Sequence, residues 1–192
     1  MSDHLIGWLL GGYFMKHTIK IKQLATASML AALCCVATLI VQIPSPTQGY
    51  IHLGDAIVLL SGWLLGPIWG AMAAGLGSAL ADIFAGYILY APATFFIKAA
   101  VAALGWLLFS AFSQIMHKHN LLALVLSGIL SETIMVVGYL GFEAFFVGYG
   151  GAAIVGVPLN IVQAIFGVAV GALLKQLLKR IHFRIHRDYN IK

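Results

Sequence analysis

Six apolar runs, separated by short turns, leave this chain almost no way to fold in water. Leu24 to Ile43 is the first. It closes at Ile43-Pro44-Ser45-Pro46, where proline stops a helix and extends the residue before it. Gly54-Asp55 opens the second, which ends at the turn signal Gly66-Pro67. The third covers Ile68 to Ala85 and breaks at Gly86-Tyr87. The fourth begins at Pro92, a residue suited to a first helical turn, and reaches Ile115, with His117-Lys118-His119-Asn120 as a polar turn after it. The fifth runs from Leu121 to about Gly141, ahead of a Gly-rich loop from Gly148 to Gly151, and the sixth from about Ile154 to Leu178. A helical crossing takes roughly 20 apolar residues. The stretch Gly54–Gly66, about 20 Å long at 1.5 Å per residue, is short for one, so it is expected to be tilted and buried, or extended upstream through Ile51.

The expected fold is therefore all-α: a polytopic membrane protein of six transmembrane helices with both termini on one side. Composition agrees. Of 192 residues, 61% are hydrophobic and 9% charged, against roughly 25% charged in a soluble domain, and the mean hydropathy is +0.98. These values exclude a soluble enzyme, a nucleic-acid-binding domain and a disordered segment. The length leaves no room for a nucleotide-binding domain, and no Gly-x-x-x-x-Gly-Lys-[Ser/Thr] loop occurs, so any ATP-driven motor would be another chain. Cys34 and Cys35 are adjacent within an apolar run and make neither a disulfide framework nor a spaced metal site.

Charge placement orients the bundle. Lys16, Lys20, Lys22, Lys118, Lys175, Lys179, Arg180, Arg184, Arg187 and Lys192 all fall on the side of the termini; these are ten of the eleven basic residues, so that side is cytoplasmic. The net charge of +5 is thus a topology signal, and no nucleic-acid partner is expected. Ile6 to Phe14 is too short to span and lacks the flanks of a signal peptide. Residues 1–14 are expected to be an N-terminal extension, from an upstream start codon or as a short interfacial helix, with 15–192 forming the six-helix domain.

Small residues recur at four-residue spacing: Ala27 and Ala31 in the first segment, overlapped by Ser28 and Ala32, then Gly70 with Ala74, and Ala73, Gly77 and Ala81 in the third. In lipid, close backbone approach at small residues supplies much of the packing between helices. Internal packing accounts for the third segment; the Ala27–Ala31 face either packs internally or docks another membrane protein. Ionisable groups in the membrane are costly and point to pairing or function. The depths of Asp82 and Lys98 suit an ion pair across adjacent helices, the alternative being a ligand role for Lys98. Glu132, Tyr139 and Glu143, at i, i+7 and i+11, fall within about 20° of one line on the fifth helix. Such a stripe faces the bundle or a wet cavity: Glu132 is expected to face a ligand, and Glu143 to be solvated near the outer interface. After Pro158, Asn160-x-x-Gln163 offers donors and acceptors to a flat polar heterocycle or to a neighbouring helix. Tyr50, Tyr87, Tyr90 and Tyr149 crowd the outer loops as an interfacial belt or a stacking surface, and His52 stands apart from the other histidines. No His-Glu-x-x-His or Gly-x-Ser-x-Gly motif is present, and neither enzymatic activity, a cofactor nor a metal is expected.

In combination, several of these features resemble the substrate-binding S components of energy-coupling factor (ECF) vitamin transporters, over about Met15 to Leu178. They are the basic start, the Ala-x-x-x-Ala first helix, Gly54-Asp55 with Gly66-Pro67-x-x-Gly70, Ala81-Asp82 before Gly86-Tyr87, Pro92-Ala93-x-Phe95-x-x-Lys98, and Pro158-x-Asn160-x-x-Gln163-x-x-x-Gly167. The resemblance is nearest the branch that includes riboflavin, hydroxymethylpyrimidine and pyridoxine carriers. It implies a six-helix subunit of the bacterial plasma membrane that binds a vitamin near the outer face. It also implies a transmembrane coupling protein (the T component) and two cytosolic ATPases as partners, with membrane lipid around the bundle and Ala27 and Ala31 towards the coupling protein. The implied substrate-binding residues are Glu132, Asn160, Gln163, Lys98, Tyr139, Tyr90, Tyr50 and His52. Riboflavin carriers have an Asn-x-x-Lys pair on the last helix; Gln163 stands in place of that lysine, which favours pyridoxine or hydroxymethylpyrimidine, with riboflavin next. The alternative is a stand-alone ion-coupled secondary transporter using Asp82, Lys98 and Glu132, although the inverted repeat common in such folds is not visible.

Overall fold

The computed structural model describes residues 2–44, 50–116 and 120–189, with side chains over 21–44, 50–116 and 120–181. The turn His117-Lys118-His119, the loop residues Ser45 to Gly49 and Lys192 lie outside the described residues, as do the side chains of Lys16, Lys20, Arg184 and Arg187. Helix α1 (Ser2–Ile40) runs into a two-stranded antiparallel ribbon, β1 (Ile43–Pro44) and β2 (Tyr50–Ile51), which pairs Ile43 with Ile51 and Pro44 with Tyr50. Helices α2 (Asp55–Phe84), α3 (Ala91–Ile115) and α4 (Asn120–Phe145) follow, then a 3-10 turn (Gly150–Gly156) and α5 (Val157–Tyr189).

Among the described residues, five helices are long and apolar enough to cross a membrane: 21–40, α2, α3, α4 and 150–181. The second and third apolar runs are joined without a loop inside α2, which explains five helices where six segments were expected. Gly66 has φ +85°, a value that side-chain-bearing residues rarely adopt, and Pro67 restarts the helix beyond it. The break folds α2 back on itself: a Cβ on Gly70 would lie 2.6 Å from the Ser61 carbonyl oxygen. Both ends of α2, with Asp55 and Asp82, therefore sit at one end of the bundle. Every residue from Asp55 to Trp63 is buried, as expected for so short an apolar run.

α2 is the centre of the bundle, packed against α1, α3 and α5, while α4 bridges α3 and α5. The core joins Cys34 of α1, Val58, Leu59 and Ala74 of α2, Val101 and Ala102 of α3, and Met135 of α4. Large apolar side chains such as Ile68, Phe96, Val137 and Ile165 point outward, as befits helices whose solvent is hydrocarbon. At Gly167 a Cβ would come within 2.8 Å of Asp55 Cβ, so glycine brings α5 directly against the start of α2. That contact positions the site.

Candidate ligand-binding site

A buried polar frame lies beneath the end of the bundle that carries the β-ribbon. Asp55 stands in the first turn of α2, where the helix dipole favours a carboxylate. Lys98 Nζ of α3 donates to its Oδ1, and Gln163 Nε2 of α5 donates to its Oδ2 at 2.6 Å. The Gln163 carbonyl oxygen accepts from the His52 backbone N–H at 2.9 Å, and His52 Nδ1 accepts from the Gly54 N–H at 3.0 Å. Lys98 and Asp55 are both fully withdrawn from the surface. Three helices and the loop that follows β2 are thus tied to one carboxylate. The expected pair between Asp82 and Lys98 is corrected: the partner is Asp55. The fold of α2 at Gly66 brings both acids to the same end, and only the first limb presents its acid to Lys98.

Above the frame lies a small cavity of about 30 Å³, walled by Tyr50, Tyr87, Tyr90, Tyr139, Asn160 and Gln163, with Asp82, Thr94, Glu143 and His52 at its edges. The aromatic rings form a train: Tyr50 to Tyr87 at 4.8 Å between centroids, Tyr87 to Tyr90 at 6.3 Å, and Tyr90 to Phe142 at 5.2 Å. The Tyr50 hydroxyl donates to Asp82 Oδ1 at 2.8 Å; burial, then the Asp82 charge, raises its pKa well above the ordinary phenol value. Thr94 and Tyr139 share a hydroxyl–hydroxyl bond of 2.9 Å. Burial pushes His52 down to about 4, so at neutral pH it is an uncharged ring accepting at Nδ1. Flat aromatic walls, amide groups and carboxylates together suit a flat polar ring, held by stacking and by hydrogen bonds at its edge.

Tyr50, His52, Tyr90, Tyr139, Asn160 and Gln163, picked out separately in the sequence, meet in this one cavity. Lys98 lies a layer deeper, its Nζ 5.3 Å from the centroid of the Tyr139 ring. Tyr139 and Glu143 reach the cavity from the polar stripe of α4, whereas Glu132 lines a second cavity of about 310 Å³ between α4 and α5. The walls of that cavity are otherwise apolar apart from Thr133, and neither carboxyl oxygen of Glu132 has a hydrogen-bond partner. On α1, Ala27 is buried inside the chain and Ala31 is half-buried beside Gly77. Sequence reasoning took Asp55 only as the opening of the second apolar run and missed its role in the frame. The available signal was a carboxyl opening an apolar run, which in a membrane needs a cation. Thr94, also missed, carries no such signal.

Comparison with known proteins agrees with the fold. Residues 18–180 match the family of the ECF-type riboflavin transporter S component, and the chain belongs to that family. A protein of Pyrococcus woesei, described as "Uncharacterized protein in gap 3'region", is 38% identical over 147 residues, which cover 76% of this chain and 93% of that one. A solved structure, described as "Structure and mechanism of the S component of a bacterial ECF transporter", superposes with a TM-score of 0.63 at 23% identity, covering 84% of this chain and 98% of the other. The protein is a membrane-embedded vitamin-binding subunit of an ECF transporter, and S components bind substrate without catalysing a reaction.

Proposed function

We propose that the tyrosine-lined cavity is the vitamin site, and that the chain captures a small heteroaromatic vitamin or precursor from outside the cell. Pyridoxine or hydroxymethylpyrimidine is favoured, and riboflavin is next. One observation carries this reading: six candidate residues from β2, the following loop, the N-cap of α3, α4 and α5 converge on a single cavity at one end of the bundle. Tyr50, Tyr87, Tyr90 and Tyr139 stack on the ring, Asn160 and Gln163 bond its edge, and Lys98 acts from beneath by holding Asp55. Glu132 acts from outside this cavity. In this reading the two limbs of α2 make the second and third of six membrane segments, and both termini face the cytoplasm, where the basic residues gather. The membrane is the bacterial plasma membrane. A coupling protein docks on α1 around Ala31, with Ser28 and Ala32 exposed beside it and Ala27 supporting the helix from within. Two ATPases supply the energy. The test is calorimetric titration of the purified chain with pyridoxine, hydroxymethylpyrimidine and riboflavin. Saturable binding of one of them, weakened at least tenfold by Tyr139→Ala or Asn160→Ala, is expected. Binding that ignores both substitutions would move the site elsewhere.

A further inference from the structure

We infer that Asp82 is a ligand-binding residue that selects for an amine or protonated ring nitrogen; this rests on the reading of the tyrosine-lined cavity as the vitamin site. Asp82 lines that cavity and is only 5% exposed. Its Oδ1 is held by the Tyr50 hydroxyl, but its Oδ2, also buried, has no hydrogen-bond partner. The Thr94 hydroxyl of α3, bonded to Tyr139, also acts on Asp82, yet Oδ2 itself is left without a hydrogen-bond partner. Lys98, the cation expected to neutralise Asp82, is committed to Asp55, leaving Asp82 without an ion-pair partner among the described residues.

A buried acceptor left unbonded is costly, and a ligand that donates to it recovers that cost on binding. The charge of the wall points the same way. The cavity is lined by two carboxyl groups, Asp82 and Glu143, and by no lysine or arginine among the described residues, while His52 supplies an uncharged ring. A phosphorylated or carboxylated ring would meet like charge there and find no cation in compensation. A ring carrying an exocyclic amine finds an acceptor already oriented, because Tyr50 fixes the rotamer of Asp82 from its other oxygen. The tyrosine train supplies ring faces for a cationic or electron-poor heterocycle.

The experiment is titration calorimetry of the full chain with four probes. Pyridoxamine and pyridoxine share a ring and differ by an amine in place of a hydroxyl; hydroxymethylpyrimidine carries a ring amine; riboflavin carries none. Pyridoxamine is expected to bind at least tenfold tighter than pyridoxine, and Asp82→Asn, which keeps an oxygen for Tyr50, to erase that preference by weakening the amine probes about ten- to a hundredfold. If Asp82→Asn does not fold, the ratio between pyridoxamine and pyridoxine in the unsubstituted chain still decides. Equal binding of the two, or a preference that persists in Asp82→Asn, overturns the inference. Binding of riboflavin alone overturns it while leaving the vitamin-site reading intact. Binding of none of the four overturns both.

Discussion

Lys98 of α3 is bonded to Asp55 at the start of α2, and neither side chain reaches the surface. A buried ion pair is worth little against an apolar substitute, but removing one partner strands the other charge, at a cost of about 3–5 kcal/mol. Lys98→Met is therefore expected to lower the melting temperature sharply in detergent micelles. Adding Asp55→Asn, which keeps an acceptor for Gln163, should recover most of the loss. A Lys98→Met chain that melts like the parent would show that the pair does not hold the helices together.

Glu132 presents the opposite case, a buried carboxyl with no hydrogen-bond partner at either oxygen. Glu132→Met, similar in size and apolar, is expected to raise stability by about 1–3 kcal/mol, the usual cost of leaving a buried polar group unsatisfied. Glu132→Gln should leave ligand affinity within about threefold, because the residue lines the cavity between α4 and α5 and not the tyrosine-lined one. Affinity and apo melting temperature, measured on one preparation, check both. An affinity loss of one to two orders of magnitude would put Glu132 in contact with the ligand.

His52 makes stability depend on pH. Its folded-state value of about 4 lies below the ordinary 6.5 of an unfolded chain, so only the unfolded state gains a proton between these limits. The stabilisation is complete above about pH 6.5 and is lost progressively as pH falls towards 4, roughly 3 kcal/mol in all. Melting curves of the chain and of His52→Asn, which keeps an acceptor for the Gly54 N–H, should converge as the pH is lowered over that interval. Parallel curves would mean that His52 is protonated in the folded protein.

Most of the fold was legible because its punctuation is local. Pro44, Gly66-Pro67, Gly86 and Pro92 mark element ends that depend on backbone geometry, and the structure breaks at each. The continuity of α2 across Gly66 was not legible, since a Gly-Pro pair signals a reversal without saying how many residues the turn will take. The cavity residues of α4 and α5 were legible from helical periodicity, which aligns Tyr139 with Glu143. The same periodicity put Glu132 on that line, but two turns deeper the residue lines the cavity between α4 and α5 instead. The partner of Lys98 was misread because depth along a helix can be counted in sequence, whereas the direction a side chain faces is set by packing. Gly167 decides that here, by letting α5 bring Gln163 onto Asp55.

On α1, Ala31 is the place to test docking. Ala31→Leu is expected to block assembly with the coupling protein while ligand binding by the isolated chain persists. Ala27→Leu, at a buried position, should instead lower stability. Co-purification with the coupling protein, alongside calorimetry of each variant, separates the two effects. If the Ala31→Leu chain assembles and transports normally, the partner uses another face.

The most direct test of the central claim is uptake of the bound vitamin into vesicles containing this chain, with and without the coupling protein and ATPases. Saturable binding by the chain alone is expected, with no accumulation under an imposed proton or sodium gradient and ATP-dependent accumulation once the partners are present. Accumulation driven by an ion gradient in vesicles that hold only this chain would contradict it, and would assign Asp82, Lys98 and Glu132 to an ion path instead.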